Sequence, residues 1–190
     1  MTSSAIERQR AELRAEIARA AVGLFTARGF DATTVDDIAA AVGVSRRTFF
    51  RYFGTKEDVL LHDLNARGDA VARALAARPA DEEPWVALRA AMLDAAPETL
   101  ADPESDLAVG RLMKTVPSLR ARRHEKRAHW VDGLAPLVAE RLTGPGAAFR
   151  ARAVVSAALL CVDLASEAWI ESGGTADLAE LYDEAVAAIR

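Results

Sequence analysis

One stretch constrains this chain more than any other: Thr33 to Lys56, TTVDDIAAAVGVSRRTFFRYFGTK. Its pattern predicts a short helix, a tight turn and a second short helix. Thr34 stands where an N-cap is needed, and Asp37 three residues on completes a capping box. Asp36 and Asp37 fall in the first turn, where the helix dipole favours negative charge. Ile38, Ala39 and Val42 share one apolar face at helical spacing. Gly43 ends the helix, because glycine enters the left-handed region without steric cost. Val44 fills the turn and Ser45 caps the next helix.

That second helix, Arg46 to Phe53, carries Phe49 and Phe53 four residues apart on its core face. Arg46, Arg47, Thr48, Phe50, Arg51 and Tyr52 make up the rest of its surface. Three arginines and no acid on so short a helix depart from the mixed signs of an ordinary solvated face. Arginines offered beyond a fixed turn suit a major groove, where they bond guanine edges bidentately or clamp phosphates. Lys56 follows at the start of the next helix, where unpaired backbone N–H groups favour a phosphate.

These residues carry a family resemblance. The segment T-T-V-x-x-I-A-x-x-x-G-V-S, then T-F-F-R-Y-F, then K-E-x-V-L, resembles the DNA-binding domain of TetR-type one-component repressors over roughly Ile17 to Leu61. The resemblance implies an all-α chain of about nine helices. A three-helix helix-turn-helix domain, residues 1–56, would precede a helical ligand-binding and dimerisation domain, residues 57–190. It implies that Thr34, Tyr52 and Lys56 touch phosphates and that Val35 and Ser45 line the interface. Arg46 and Arg47, with Thr48 beside them, are the base-reading candidates. Family members often carry tyrosine where this chain has Phe50. A phenylalanine ring cannot hydrogen-bond a phosphate, so Phe50 is assigned to a thymine methyl or a sugar and Arg51 to a phosphate.

Charge distribution agrees with this division. The chain is 190 residues long and has a net charge of −4, which taken alone argues against nucleic acid. Residues 1–56, however, hold nine Lys/Arg against six Asp/Glu, while residues 57–190 hold fifteen against twenty-two. A basic head on an acidic body fits a DNA binder with a separate sensing or pairing domain. The single cysteine, Cys161, allows no internal disulfide and reads as a buried thiol. The N-terminus is polar, and the longest apolar run, Ala153 to Val162, is too short for a bilayer. A cytoplasmic protein is therefore expected.

Helix 1 is expected from about Ile6 to Arg28, with Ile6, Leu13, Ile17, Leu24 and Phe25 on its inner side. Helix 4 is expected to run from Thr55 to about Arg78, where Pro79 stops it. Pro84 suits the first turn of helix 5, and one or two short helices are expected between about Pro97 and Val116. A longer helix starts at Pro117 and reaches about Leu142, with a kink or interruption at Pro136. Its basic run, Arg120 to Arg127, reads first as a solvated face and second as a seat for an anionic ligand. The P-x-L-R-A-R segment there resembles the family branch that senses fatty-acyl or acyl-CoA ligands. Gly144-Pro145-Gly146 breaks the chain before a helix, about Ala147 to Ser172, that is apolar around much of its circumference. Thr175 is expected to cap the last helix.

The two C-terminal helices either complete the core of one copy or, as the TetR resemblance implies, pair with those of a second copy. The dimer is the favoured reading, and Leu159 is taken as the residue whose replacement would separate the copies. Trp85, Met92, Leu112, Met113, Trp130, Leu134, Phe149 and Trp169 are candidate walls of a small-molecule pocket, each also an ordinary core residue. His124 and His129, five apart, lie on different faces and make a poor metal pair. No nucleophile–base pair, carboxylate dyad or glycine-rich phosphate loop is present, so neither an enzyme nor a cofactor or metal site is expected. The leading reading is a dimeric repressor released from a palindromic operator by a small-molecule effector. The alternative is an effector-independent architectural protein that coats DNA.

Overall fold

The computed structural model describes residues 2–95 and 103–190, and the residues described in it form helices, turns and loops. Nine α-helices occur among them, and the contacts divide the chain into two units, Met1–His62 and Asp63–Arg190. The division falls inside α4, so the N-terminal unit takes in the first turns of that helix beyond residue 56.

The first unit contains α1 (Thr2–Arg28), α2 (Val35–Ala41), α3 (Arg46–Tyr52) and the start of α4 (Lys56–Ala77). Ile17, Ala21 and Phe25 of α1, with Ile38, Phe49, Phe53, Val59 and Leu61, are buried core residues of this unit, all at 2% exposure or less. The inner stripe of α1 thus begins at Ile17. Ile6 is 51% exposed and Leu13 and Leu24 are half-buried, contrary to the longer stripe expected. A 3.6-residue period marks a face but does not say whether another element reaches it. Gly29, at φ +88°, turns the chain out of α1. Buried Thr33 then donates its hydroxyl to the Gly29 carbonyl at 2.8 Å, which fixes the entry into α2.

The second unit holds the rest of α4, α5 (Pro84–Asp94), α6 (Pro103–Thr115), α7 (Pro117–Ala139), α8 (Ala147–Glu171) and α9 (Leu178–Ala187). One helix, α6, fills the described part of the span where one or two were expected; residues 96–102 lie outside the description. Its core joins Val71 and Leu75 of α4, Leu88 of α5, Leu134 and Val138 of α7, and Val155 and Leu159 of α8.

Three expectations need correction. Helix α7 is continuous through Pro136, so the alternative of an interruption there fails, and it ends at Ala139 and not near Leu142. Proline near a C-terminus still offers its carbonyl, here to the Glu140 N–H at 3.2 Å, and removes only one ladder bond. Asp177, not Thr175, caps α9: its carboxylate accepts from the N–H groups of Ala179 and Glu180. Thr175 instead donates to the Ser172 carbonyl at 2.9 Å. Finally, α8 as a whole is 25 residues long, apolar enough by length and composition to cross a membrane, although the run first identified was ten. A core helix of a globular domain passes the same test, and α8 buries Ala151, Val155, Ala158, Leu159, Cys161, Ala165 and Trp169 within its own unit.

Candidate nucleic-acid interface

The two caps of the helix-turn-helix form as the sequence implies. The Thr34 hydroxyl accepts from the Asp37 N–H at 3.1 Å, and the Asp37 carboxylate accepts from the Thr34 N–H at 2.8 Å. The Thr34 hydroxyl also donates to that carboxylate at 2.6 Å, and this bond, with the one from the Thr34 N–H, holds the Asp37 carboxyl below its ordinary range. Gly43 sits at φ +68° and closes α2. The Ser45 hydroxyl accepts from the Thr48 N–H at 3.0 Å and shares a 2.9 Å bond with the Thr48 hydroxyl. Both hydroxyl caps are therefore occupied before any partner arrives.

Helix α3 is anchored by one ring and presents the others. Phe49 is fully buried and packs on Phe53 with centroids 5.6 Å apart. Phe50 meets Phe49 edge-on at 5.5 Å and is 45% exposed. Arg46, Arg47 and Arg51 are all exposed, while Thr48 and Tyr52 are half-buried. Arg46 reaches back to Asp36 at 3.2 Å and lies 5.6 Å from the centre of the Phe50 ring. Arg51 lies 5.2 Å from the Tyr52 ring. Arg47 has no acidic partner among the described residues. Val35, on α2, is half-buried.

Lys56 is placed differently from its neighbours. Its ammonium donates to the Phe30 carbonyl at 2.8 Å and to the Thr33 carbonyl at 3.3 Å, and it lies 4.3 Å from the Phe30 ring. The side chain ties α4 to the α1–α2 link. A long-range tie of this kind leaves no local signature in the sequence. The Thr55 N–H and hydroxyl are spent on a capping pair with Asp58.

In the second unit the pocket candidates scatter. Trp130 and Leu134 line one small open cleft with Gly68, Asp69, Ala72, His129 and Gly133. Gly68 is required there: a Cβ at that position would meet the Trp130 indole nitrogen at 2.5 Å. Met92 and Trp85 pack against the main core, Trp169 is buried, and Leu112 and Met113 are half-buried on α6. Phe149 is 78% exposed and is not among the residues that line this cleft.

The basic run of α7 is not the evenly solvated face first expected. Arg127 donates to Asp163 at 2.5 Å and to the Leu159 carbonyl, and Arg123 stands 3.7 Å from Asp163. Burial pushes the Arg127 guanidinium below its ordinary value and the Asp163 carboxyl above its own. Arg120 stays exposed.

Residues 17–62 match the family described as bacterial regulatory proteins, tetR family. Residues 82–190 match the MftR C-terminal domain family, more than half of the chain. The chain belongs to the TetR family. Among curated TetR-family relatives, the transcriptional regulator TcmR of Streptomyces glaucescens is 36% identical over 71% of this chain and 62% of TcmR. The chain therefore spans less than two thirds of that protein's length. MftR of Mycobacterium tuberculosis, named for regulation of mycofactocin biosynthesis, is 31% identical over 88% of this chain and 84% of MftR. Among solved structures, a TetR-family repressor, FadR of Thermus thermophilus in complex with lauroyl-CoA, matches with a TM-score of 0.53. Its identity is 29% and the match covers 91% of each chain.

Two features of this TetR-family chain escaped the sequence reading. The Asp36–Arg46 pair joins residues ten apart on different helices, which no periodicity reveals. Leu160 and Leu164, at 55% and 49% exposure, are the outward leucines of α8, whereas Leu159 is buried at 1%. On a helix apolar nearly all round, composition cannot say which side faces out.

Proposed function

We propose that this TetR-family regulator acts as a dimeric repressor that binds a palindromic operator and leaves it on binding a small-molecule effector. The observation that carries the reading is α3: Phe49 locks it from inside while Arg46, Arg47 and Arg51 stand in solvent. Arg46 and Arg47 read base edges, with Thr48 beside them. Phe50 touches a thymine methyl or sugar, and Arg51 takes a phosphate. Thr34, Val35, Ser45 and Tyr52 line the backbone contact. Lys56 adds its charge and the N–H groups that start α4.

Leu160 and Leu164 of α8, with Phe149 and with Leu178 of α9 at 43% exposure, supply the apolar face for a second copy. One seven-residue reading helix offers too little surface for specific binding alone, which favours two. The effector occupies the second unit near Trp130 and Leu134, and it acts by preferring one disposition of α4 over another. An acyl-CoA thioester is the first class to test, since the FadR relative was solved with lauroyl-CoA. Such a protein works in the cytoplasm, beside its operator.

Selection of bound duplexes from a random pool, followed by sequencing, tests the reading. One short inverted repeat should emerge, with half-sites about 34–36 Å apart or one step more. Replacing Arg47 by alanine should relax one position of each half-site. Enrichment without any palindrome would replace this reading with the architectural one.

A further inference from the structure

The two arginines that open α3 do not stand alike. Arg46 has its guanidinium 3.2 Å from the Asp36 carboxylate and 5.6 Å from the Phe50 ring centre. Phe50 is itself positioned by its perpendicular contact with fully buried Phe49. The guanidinium is thus held between the first turn of α2 and a ring one turn further along α3. Asp37, the other acid of that turn, spends its carboxylate on the Thr34 cap and plays no part. Arg47 next door has neither a carboxylate nor a ring partner among the described residues.

Resting on the operator-binding reading above, we infer that Asp36 is a specificity-determining residue that holds Arg46 for base-edge reading and keeps it from serving as a general phosphate clamp. Two physical effects act together. First, an arginine already oriented loses less side-chain freedom when it forms a bidentate bond to a guanine, so the correct base is favoured. Asp36 occupies one side of the fork through Nη1, and the other donors stay available. Second, a carboxylate at the interface opposes any nearby phosphate. Binding to unrelated duplex depends almost wholly on neutralised phosphates, so that penalty falls on it most heavily. Specific binding offsets the penalty with the base contact that Asp36 arranges. A residue that never touches a base therefore widens the ratio between the right and wrong sequences.

The test compares wild type with Asp36→Asn, Asp36→Glu, Arg46→Ala and the double variant Asp36→Asn/Arg46→Ala. Each is put through duplex selection from a random pool, then titrated by fluorescence anisotropy with the selected duplex and with a mixed-sequence duplex across a salt series. Thermal midpoints of all variants are recorded beside these. Asp36→Asn should tighten binding to the mixed duplex by about three- to tenfold and steepen its salt dependence by about one released counterion. It should also broaden base preference at the same position that Arg46→Ala broadens. The double variant should add no further broadening, and Asp36→Glu should restore most of the preference. A purely structural role would move the midpoint and leave the preference profile alone.

If the wild type enriches a palindrome but Asp36→Asn matches it in both profile and mixed-duplex affinity, this inference is overturned while the operator reading stands. Broadening at a position untouched by Arg46→Ala overturns it as well. If the wild type enriches nothing, both fall together.

Discussion

Replacing Lys56 by methionine keeps the aliphatic stem against Phe30 and removes only the ammonium. What is lost is a 2.8 Å bond to the Phe30 carbonyl, a 3.3 Å bond to the Thr33 carbonyl and a cation 4.3 Å from a ring centre. Hydrogen bonds to a charged group contribute about 1.5–3 kcal/mol each when well formed. The second bond is long, and the side chain is half-buried, so both figures are reduced by solvent. The Phe30 carbonyl also keeps a bond from the Thr33 N–H at 3.3 Å and is not orphaned. Adding about 0.5–1 kcal/mol for the ring contact, a net loss of about 2 kcal/mol follows for the first unit. Calorimetry or far-ultraviolet circular dichroism reads it. The midpoint should fall by about 8–16 °C if the unit of Met1–His62 melts by itself, on the usual scaling for domains of that size. A fall below about 2 °C would refute the claim that this ammonium ties α4 to the α1–α2 link. In parallel, the salt slope of operator binding should drop by about one phosphate contact. A lower midpoint with an unchanged slope would leave Lys56 a structural tie and remove it from the DNA interface.

The outward face of α8 is tested by Leu160→Glu with Leu164→Glu, which should weaken dimerisation by about thirtyfold or more, read by sedimentation velocity, with little change in the monomer's melt. Leu159→Ala should do the opposite: at 1% exposure its loss should cost about 2–5 kcal/mol of stability with no selective effect on assembly. Gly68→Ala would force a methyl to 2.5 Å from the Trp130 indole nitrogen and should cost about 1–3 kcal/mol in urea titrations, reported by tryptophan fluorescence. Tyr182 is 7% exposed with no partner for its hydroxyl among the described residues, so Tyr182→Phe should be neutral or stabilising by up to about 1 kcal/mol. Burial pushes that phenol up to about 12. Between the unfolded value near 10 and that folded value, the unfolded state gives up a proton that the folded state keeps. Stability should therefore fall as pH rises through that window, and the phenylalanine variant should show a shallower fall.

Short-range physics wrote most of the first unit into the sequence. Caps act over three residues, glycine turns over one and ring pairs over four. The Thr34–Asp37 box, the Gly43 turn, the Ser45 cap and the Phe49–Phe53 pair could therefore all be read directly. The exposed arginines of α3 were legible for the same reason, because placing Phe49 inside turns Arg46, Arg47 and Arg51 outward. What the linear order could not contain was any bond closed by the fold. Lys56 reaches carbonyls 23 and 26 residues back, and Asp36 meets Arg46 across a turn. Arg127 and Arg123 turn inward to Asp163 on α8, where the sequence offered only a basic face. The choice between Leu159 and Leu160 as the outer residue of α8 was likewise settled by packing. A helix apolar around much of its circumference has no single inner face until its neighbours cover one.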